Sequence, residues 1–275
     1  MVICMEERTN QELIQELNRL TKAQARVKRR TTFLLSIIAM LVLITGTLAW
    51  FTLSNFASVQ EITLHVSTAP QLYLDIENHG ADISLYKKTL TNEMINRYLT
   101  SVNAPTMEKQ LLDPVTTADG ITLKNRTGTT REANKDTYLE FKVWFIATKE
   151  MWVHLSGQTA EVEGKNATTA VTTKETGGKA DIVRAIRLSY EDAGKAAIFE
   201  PNKGTPVAGQ TTFDVSQTFS NDTRLFHLEK LEPKQITIRL WIEGEDPEGD
   251  DDVQDAEVNI EMLFAGTDDA NSSFE

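Results

Sequence analysis

The sequence predicts a mainly β protein: an antiparallel two-sheet sandwich, jelly-roll-like, placed outside a membrane and preceded by an amphipathic helix and one transmembrane helix. About ten short stretches alternate apolar and polar residues, the period of a strand with one buried face and one wet face. Polar connectors rich in Thr, Asp, Asn and Gly separate them, and such a succession packs as two facing sheets. Ahead of the strands lies a stretch of another kind, the charge-free run FLLSIIAMLVLITGTLAWF at residues 33–51.

As a helix, that run rises about 1.5 Å per residue, just enough to cross the roughly 30 Å of bilayer hydrocarbon. Arg26, Lys28, Arg29 and Arg30 precede it, and no basic residue follows it until Lys87. The positive-inside rule therefore puts the N-terminus in the cytoplasm and the rest of the chain outside. The domain plan is a cytoplasmic helical tail at 1–30, a membrane or signal segment at 31–53 and an extracellular β domain at 54–275. In the tail, Thr9 and Glu12 have capping-box spacing, and Leu13, Leu17, Leu20 and Ala23 recur at helical spacing. At the outer end of the run, Thr47 and Ala49 fit the two small positions before a signal-peptidase cut, while Trp50 fits an interfacial anchor. Retention and cleavage are both open.

Beyond the run the period changes from helical to alternating. Ile62, Leu64 and Val66 form one strand face and Leu72, Leu74 and Ile76 another, with a break at Pro70. Residues 91–101 read as the one helix of the domain and 110–136 mostly as loop. Leu139, Phe141, Val143 and Phe145 share a strand face, and Met151, Val153 and Leu155 follow after a short turn, predicting a hairpin. Residues 159–179 read as an exposed loop, 182–190 and 196–200 as strands, and 201–209 as a connector. Phe213, Val215 and residues 225–228 are weaker strand segments. The final two are clear: Ile236, Ile238, Leu240 and Ile242, then Val258, Ile260, Met262 and Phe264.

A net charge of −12 excludes nucleic acid as a partner. The only cysteine is Cys4, so the exported part contains no disulfide, which favours a bacterial surface over an animal one. His65, His79, His154 and His227 lie far apart, without zinc-helix spacing, and no nucleophile elbow or phosphate loop is present. No catalytic residue is assigned. The acidic stretch EGEDPEGDDD offers carboxylates at the density a hard cation requires, so Asp246, Glu248, Asp250 and Asp252 are the candidates for calcium, the one cofactor considered. Trp144, Trp152 and Trp241 each fall opposite the main apolar alternation and would form a binding or assembly patch if their strands are neighbours.

The segment GTLAWFTLSNFAS at residues 46–58, followed by an acidic all-strand domain ending in LWIEGEDPEGDDD and VNIEMLFAG, resembles the camelysin/TasA family of exported proteins of Gram-positive bacteria. The resemblance implies a jelly-roll domain, a dedicated signal peptidase cutting near residues 46–51, and assembly into surface or biofilm-matrix fibres. It also implies that residues 54–66 are donated as a strand to a neighbouring subunit, the mode in which backbone hydrogen bonds supply the affinity. The expected function is thus a non-enzymatic cell-surface structural or assembly protein. The alternatives are a membrane-anchored binding or adhesion module and, third, a surface hydrolase with a dispersed site.

Overall fold

The computed structural model describes residues 32–40, 57–67, 71–107, 112–125, 137–215 and 224–267, together with Arg19, Thr21 and Lys28. The chain divides into two compact units, Met1–Ser54 and Asn55–Glu275.

In the first unit, residues 32–40 are helical. The Thr32 and Ser36 hydroxyls donate to the carbonyls of Lys28 and Thr32, each at 2.9 Å, so neither polar group is left unpaired on an otherwise apolar stretch. Phe33, Leu34, Leu35, Ile38 and Met40 are each more than half exposed. Among the described residues no helix is long and apolar enough to cross a membrane. The remainder of the predicted crossing, residues 41–51 with Thr47 and Ala49, lies outside the described residues, as does most of the predicted amphipathic helix.

The second unit is mainly β. It begins with β1 (Ser58–Val66), β2 (Leu72–Asp75) and β3 (Thr89–Leu90), then the helix α1 (Asn92–Ser101), β4 (Val115–Thr116) and β5 (Lys124–Asn125). There follow β6 (Leu139–Ala147), β7 (Met151–Leu155), β8 (Ala160–Val162), β9 (Lys165–Ala167) and β10 (Ala170–Thr172). After the short helix α2 (Ile182–Ala185) come β11 (Ile186–Asp192), β12 (Lys195–Phe199), β13 (Thr212–Phe213), β14 (Arg224–Leu228), β15 (Lys234–Ile242) and β16 (Glu257–Thr267). One six-stranded sheet has the order β14-β7-β16-β1-β3, with β10 also paired to β16; a second six-stranded sheet has the order β13-β12-β11-β15-β6-β2; β4–β5 and β8–β9 form two further sheets of two strands each.

The sheets are mixed, not wholly antiparallel. β1 runs parallel to β16 from Ser58↔Glu257 to Val66↔Phe264, with a bulge between Val59 and Glu61, and β12 runs parallel to β13. Alternation reports which face of a strand is buried and carries no information on direction. Parallel neighbours need a long crossover, and here nearly the whole unit lies between β1 and β16. Nor do β6 and β7 form a hairpin: β6 sits between β15 and β2, and β7 sits between β14 and β16 in the other sheet. Residues 148–150 carry the chain from one sheet to the other. The stretch 159–179, expected to be a loop, contains β8, β9 and β10, whose small and polar residues do not show a strand period.

Side chains from both sheets meet in one apolar core. Alternate residues of β6 (Leu139, Phe141, Val143, Phe145), β15 (Ile236, Ile238, Leu240, Ile242), β16 and β1 are buried there, as their period dictates. Phe145 touches Phe226 of the opposite sheet at 4.9 Å between ring centroids and Phe264 at 5.0 Å. Burial of such rings supplies most of the driving force for holding the two sheets together.

α1 closes an edge. Its amphipathic turn buries Ile95 and Leu99, and its first residue, Asn92, pairs with β1 as a short strand would. The Asn92 Oδ1 accepts from the Ile62 N–H at 2.7 Å, and its Nδ2 donates to the Gln60 carbonyl at 2.8 Å. An open β edge is a template for unwanted pairing, and the amide occupies two of its groups. Asn92→Leu, nearly equal in volume, is expected to destabilise the full-length chain by about 1–3 kcal/mol in urea unfolding, the cost of an unpaired buried N–H, and to increase self-association.

Candidate functional site

The polar face of β1 carries Glu61, Thr63 and His65 on alternate residues, and with the neighbouring strands it lines a groove of about 700 Å³. β16 contributes Asn259 and Glu261, β10 contributes Thr172, and Thr89 stands on β3. The β8–β9 hairpin forms a wall. Its two turn residues, Glu163 and Gly164, have φ of 50° and 80°, the pair of left-handed conformations a two-residue type I′ turn requires. Val162 and Ala167 pin the hairpin to the sheet by packing on Leu263. The Thr169 hydroxyl adds a second attachment, accepting from the Leu263 N–H at 3.0 Å.

At the centre of the groove His65 is nearly buried, with Nδ1 3.1 Å from Thr89 Oγ1 and Nε2 3.4 Å from Glu261 Oε1. Burial lowers its pKa below the ordinary histidine value; Glu163 opposes the shift and Lys165 adds to it. The ring is therefore neutral at pH 7. With Glu261 ionised, one tautomer satisfies both contacts: Nε2–H donates to Glu261, and Nδ1 accepts from the Thr89 hydroxyl. The Glu261 carboxyl is raised by burial and by the nearby Glu61 charge, against a hydrogen bond from the Thr168 N–H at 3.4 Å. Lys87 lines the groove but is bound to the buried Asp75 carboxylate at 2.5 Å.

Of these residues the sequence marks only His65, and that as an isolated histidine. Glu61, Thr63 and His65 sit on the expected wet face of a strand, where polar residues need no explanation, and the hairpin wall read as a loop. The signal available was their period-two spacing.

The three tryptophans do not form one patch. Trp152 is on β7 in the first sheet, whereas Trp144 and Trp241 lie on β6 and β15 in the second. Trp144 stands opposite Gln235, six residues along β15 from Trp241, or roughly 20 Å at strand rise. Trp241 is fully buried beneath Val115, Leu123, Tyr138 and Ile198, and its indole N–H donates to Glu243 at 3.0 Å.

The acidic turn is built for structure. Arg187 is fully buried, and its guanidinium donates to Asp246 at 2.7 Å, to Glu200 at 3.1 Å and to the Thr205 carbonyl at 3.2 Å. The chain at Gly204 passes so close that a Cβ there would run into the Arg184 carbonyl. Glu248 is taken by the Thr205 hydroxyl at 2.5 Å and by Arg184 at 3.3 Å. Asp250 accepts from the Asp252 N–H at the start of its own 3-10 turn. These four carboxylates do not converge on a common point: among the described residues, the one group of three metal-ligand types within reach of each other is Glu150, His227 and Glu229.

No family model matches the chain, and neither a curated protein nor a solved structure matches it.

Two outcomes follow for the Arg187 network. Asp246→Ala leaves a buried guanidinium short of a counter-charge and is expected to cost about 3–5 kcal/mol in chemical denaturation. Burial, then the Glu248 carboxylate, pushes the Asp246 carboxyl up to about 6, while hydrogen bonds from Asp246 and Thr205 hold Glu248 at about 2. A raised folded-state pKa gives stability that is present below the ordinary value of 3.8 and lost as pH rises through 6. Glu248, held low, has the opposite dependence and offsets part of that loss. Asp246→Asn removes the raised group, so its unfolding midpoint should fall less between pH 4 and pH 7 than that of the wild type.

Proposed function

We propose that this chain is a surface protein held by residues 33–51 in a membrane, with its N-terminus in the cytoplasm and a two-sheet, jelly-roll-like sandwich outside, and that the sandwich is a binding module. The observation that carries the binding role is the groove over β1 and β16. It combines a volume suited to a small ligand or a few residues of a polymer with convergent hydroxyl, imidazole, amide and carboxylate groups. The exposed apolar helix at residues 32–40 supports the membrane attachment. The camelysin/TasA resemblance supports a bacterial cell surface, and the role is non-enzymatic: Thr89, His65 and Glu261 satisfy one another, which accounts for their positions without a reaction.

A second reading, an assembly subunit, is favoured by the placement of β1. It is the first strand of its unit and joins the rest through residues 67–71, so a neighbour's β1 could make every contact that the chain's own β1 makes. Exchange of that strand would link subunits without any new interface. The dedicated signal peptidase belongs to this reading, since a free start near residue 50 would release the strand.

Glycan and peptide arrays probed with the full-length chain in detergent separate these readings. The binding module should retain ligands that Thr63→Trp, which fills the groove floor, no longer retains, with both proteins equally folded by circular dichroism. Identical array profiles for the two proteins would reject the groove. Concentration-dependent oligomers abolished by deletion of residues 54–66 would replace it with assembly.

A further inference from the structure

The groove leaves unexplained a second histidine, at the far side of the same sheet. His227 lies on β14, opposite Trp152 in the register of β7, and its ring packs against that indole at a tilt of 57° with centroids 4.7 Å apart. Each ring nitrogen then faces a carboxylate. Nε2 is 3.2 Å from Glu150 Oε1, and Nδ1 is 3.5 Å from Glu229 Oε1. A neutral imidazole has one N–H and one lone pair. Whichever tautomer is present, one lone pair faces a carboxylate oxygen, a repulsive contact unless a positive charge lies between them. A cation bound between the ring and a carboxylate supplies that charge. His65 differs here, because a hydroxyl that can donate faces one of its nitrogens.

We infer that Glu150, His227 and Glu229 form a surface site for a divalent transition ion, of the class that accepts mixed imidazole and carboxylate ligands, such as Zn²⁺. One ligand atom from each side chain lies within 4.8 Å of the other two, and both glutamates are mostly exposed and so free to swing onto an ion at Nε2. Glu150 belongs to the crossing between sheets and Glu229 to the end of β14, so the ion would tie that crossing to an edge strand. The site shares no residue with the groove, and the inference is independent of the binding reading.

The test is calorimetric titration of the full-length chain in detergent with ZnCl₂, followed by competition with CaCl₂. One saturable Zn²⁺ site that calcium does not displace is expected. His227→Ala should weaken it by about tenfold or more, since loss of even a hydrogen bond to a metal-bound histidine costs that much. Glu150→Gln and Glu229→Gln change exposed side chains, leave the fold intact and should each weaken binding. NiCl₂ should quench the share of tryptophan emission that Trp152→Phe removes. Absence of saturable binding, displacement by calcium, or affinity unchanged in His227→Ala and in both glutamine variants would overturn the site.

Discussion

The parallel ladder between β1 and β16 joins the first strand of the β unit to the last, and most of what has been described depends on it. Its inward residues, Ile62, Leu64 and Val66 with Val258, Ile260, Met262 and Phe264, are a large part of the core. Its outward residues, Glu61, Thr63 and His65 with Asn259 and Glu261, are the floor of the groove. One register therefore fixes both faces at once. A slip by a single residue would place His65 in the core and Leu64 in the groove, so the hydrophobic effect that selects the register also positions the polar site.

A second constraint acts at one end of the other sheet. Burying a guanidinium is costly unless charged partners and carbonyls surround it, and Arg187 has two carboxylates together with the carbonyls of Arg184, Ile186 and Thr205. Those partners come from the helix α2, from β11 itself, from the connector that carries Glu200 and Thr205, and from the turn at Asp246. Their convergence explains why a stretch so rich in Asp and Glu is ordered: Asp246 and Glu248 pair with the protein's own cations, and Asp246 and Asp250 cap its 3-10 turns.

Much of the strand content was legible because the core is built from alternation. Leu139 to Phe145, Ile236 to Ile242 and Val258 to Phe264 bury the residues that their period indicates. Direction and partner were not legible, because alternation is the same for parallel and antiparallel neighbours and for strands in the same or different sheets. That is why β6 and β7 read as a hairpin and why a patch of Trp144, Trp152 and Trp241 rested on their strands being neighbours. Trp241 read as an outward residue and does face away from the main core, but a second small core covers it, formed by residues distant in sequence. The acidic turn drew attention by composition alone, while the partner that consumes it, Arg187, sat unremarked in a strand. His65 and His227 were legible only as isolated histidines, since their partners lie on strands and turns that sequence distance hides.

The ladder also orders events in time. A polypeptide is made from its N-terminus, and at about 5–20 residues per second the chain from Val66 to Glu257 takes roughly ten to forty seconds to appear. Throughout that interval β1 has no β16 to pair with, so the central ladder cannot nucleate as the chain emerges and must close after the last strand has been delivered. Non-local closure of this kind is slow and leaves apolar strand edges exposed while it waits. The unit thus spends its early life with its first strand unclaimed.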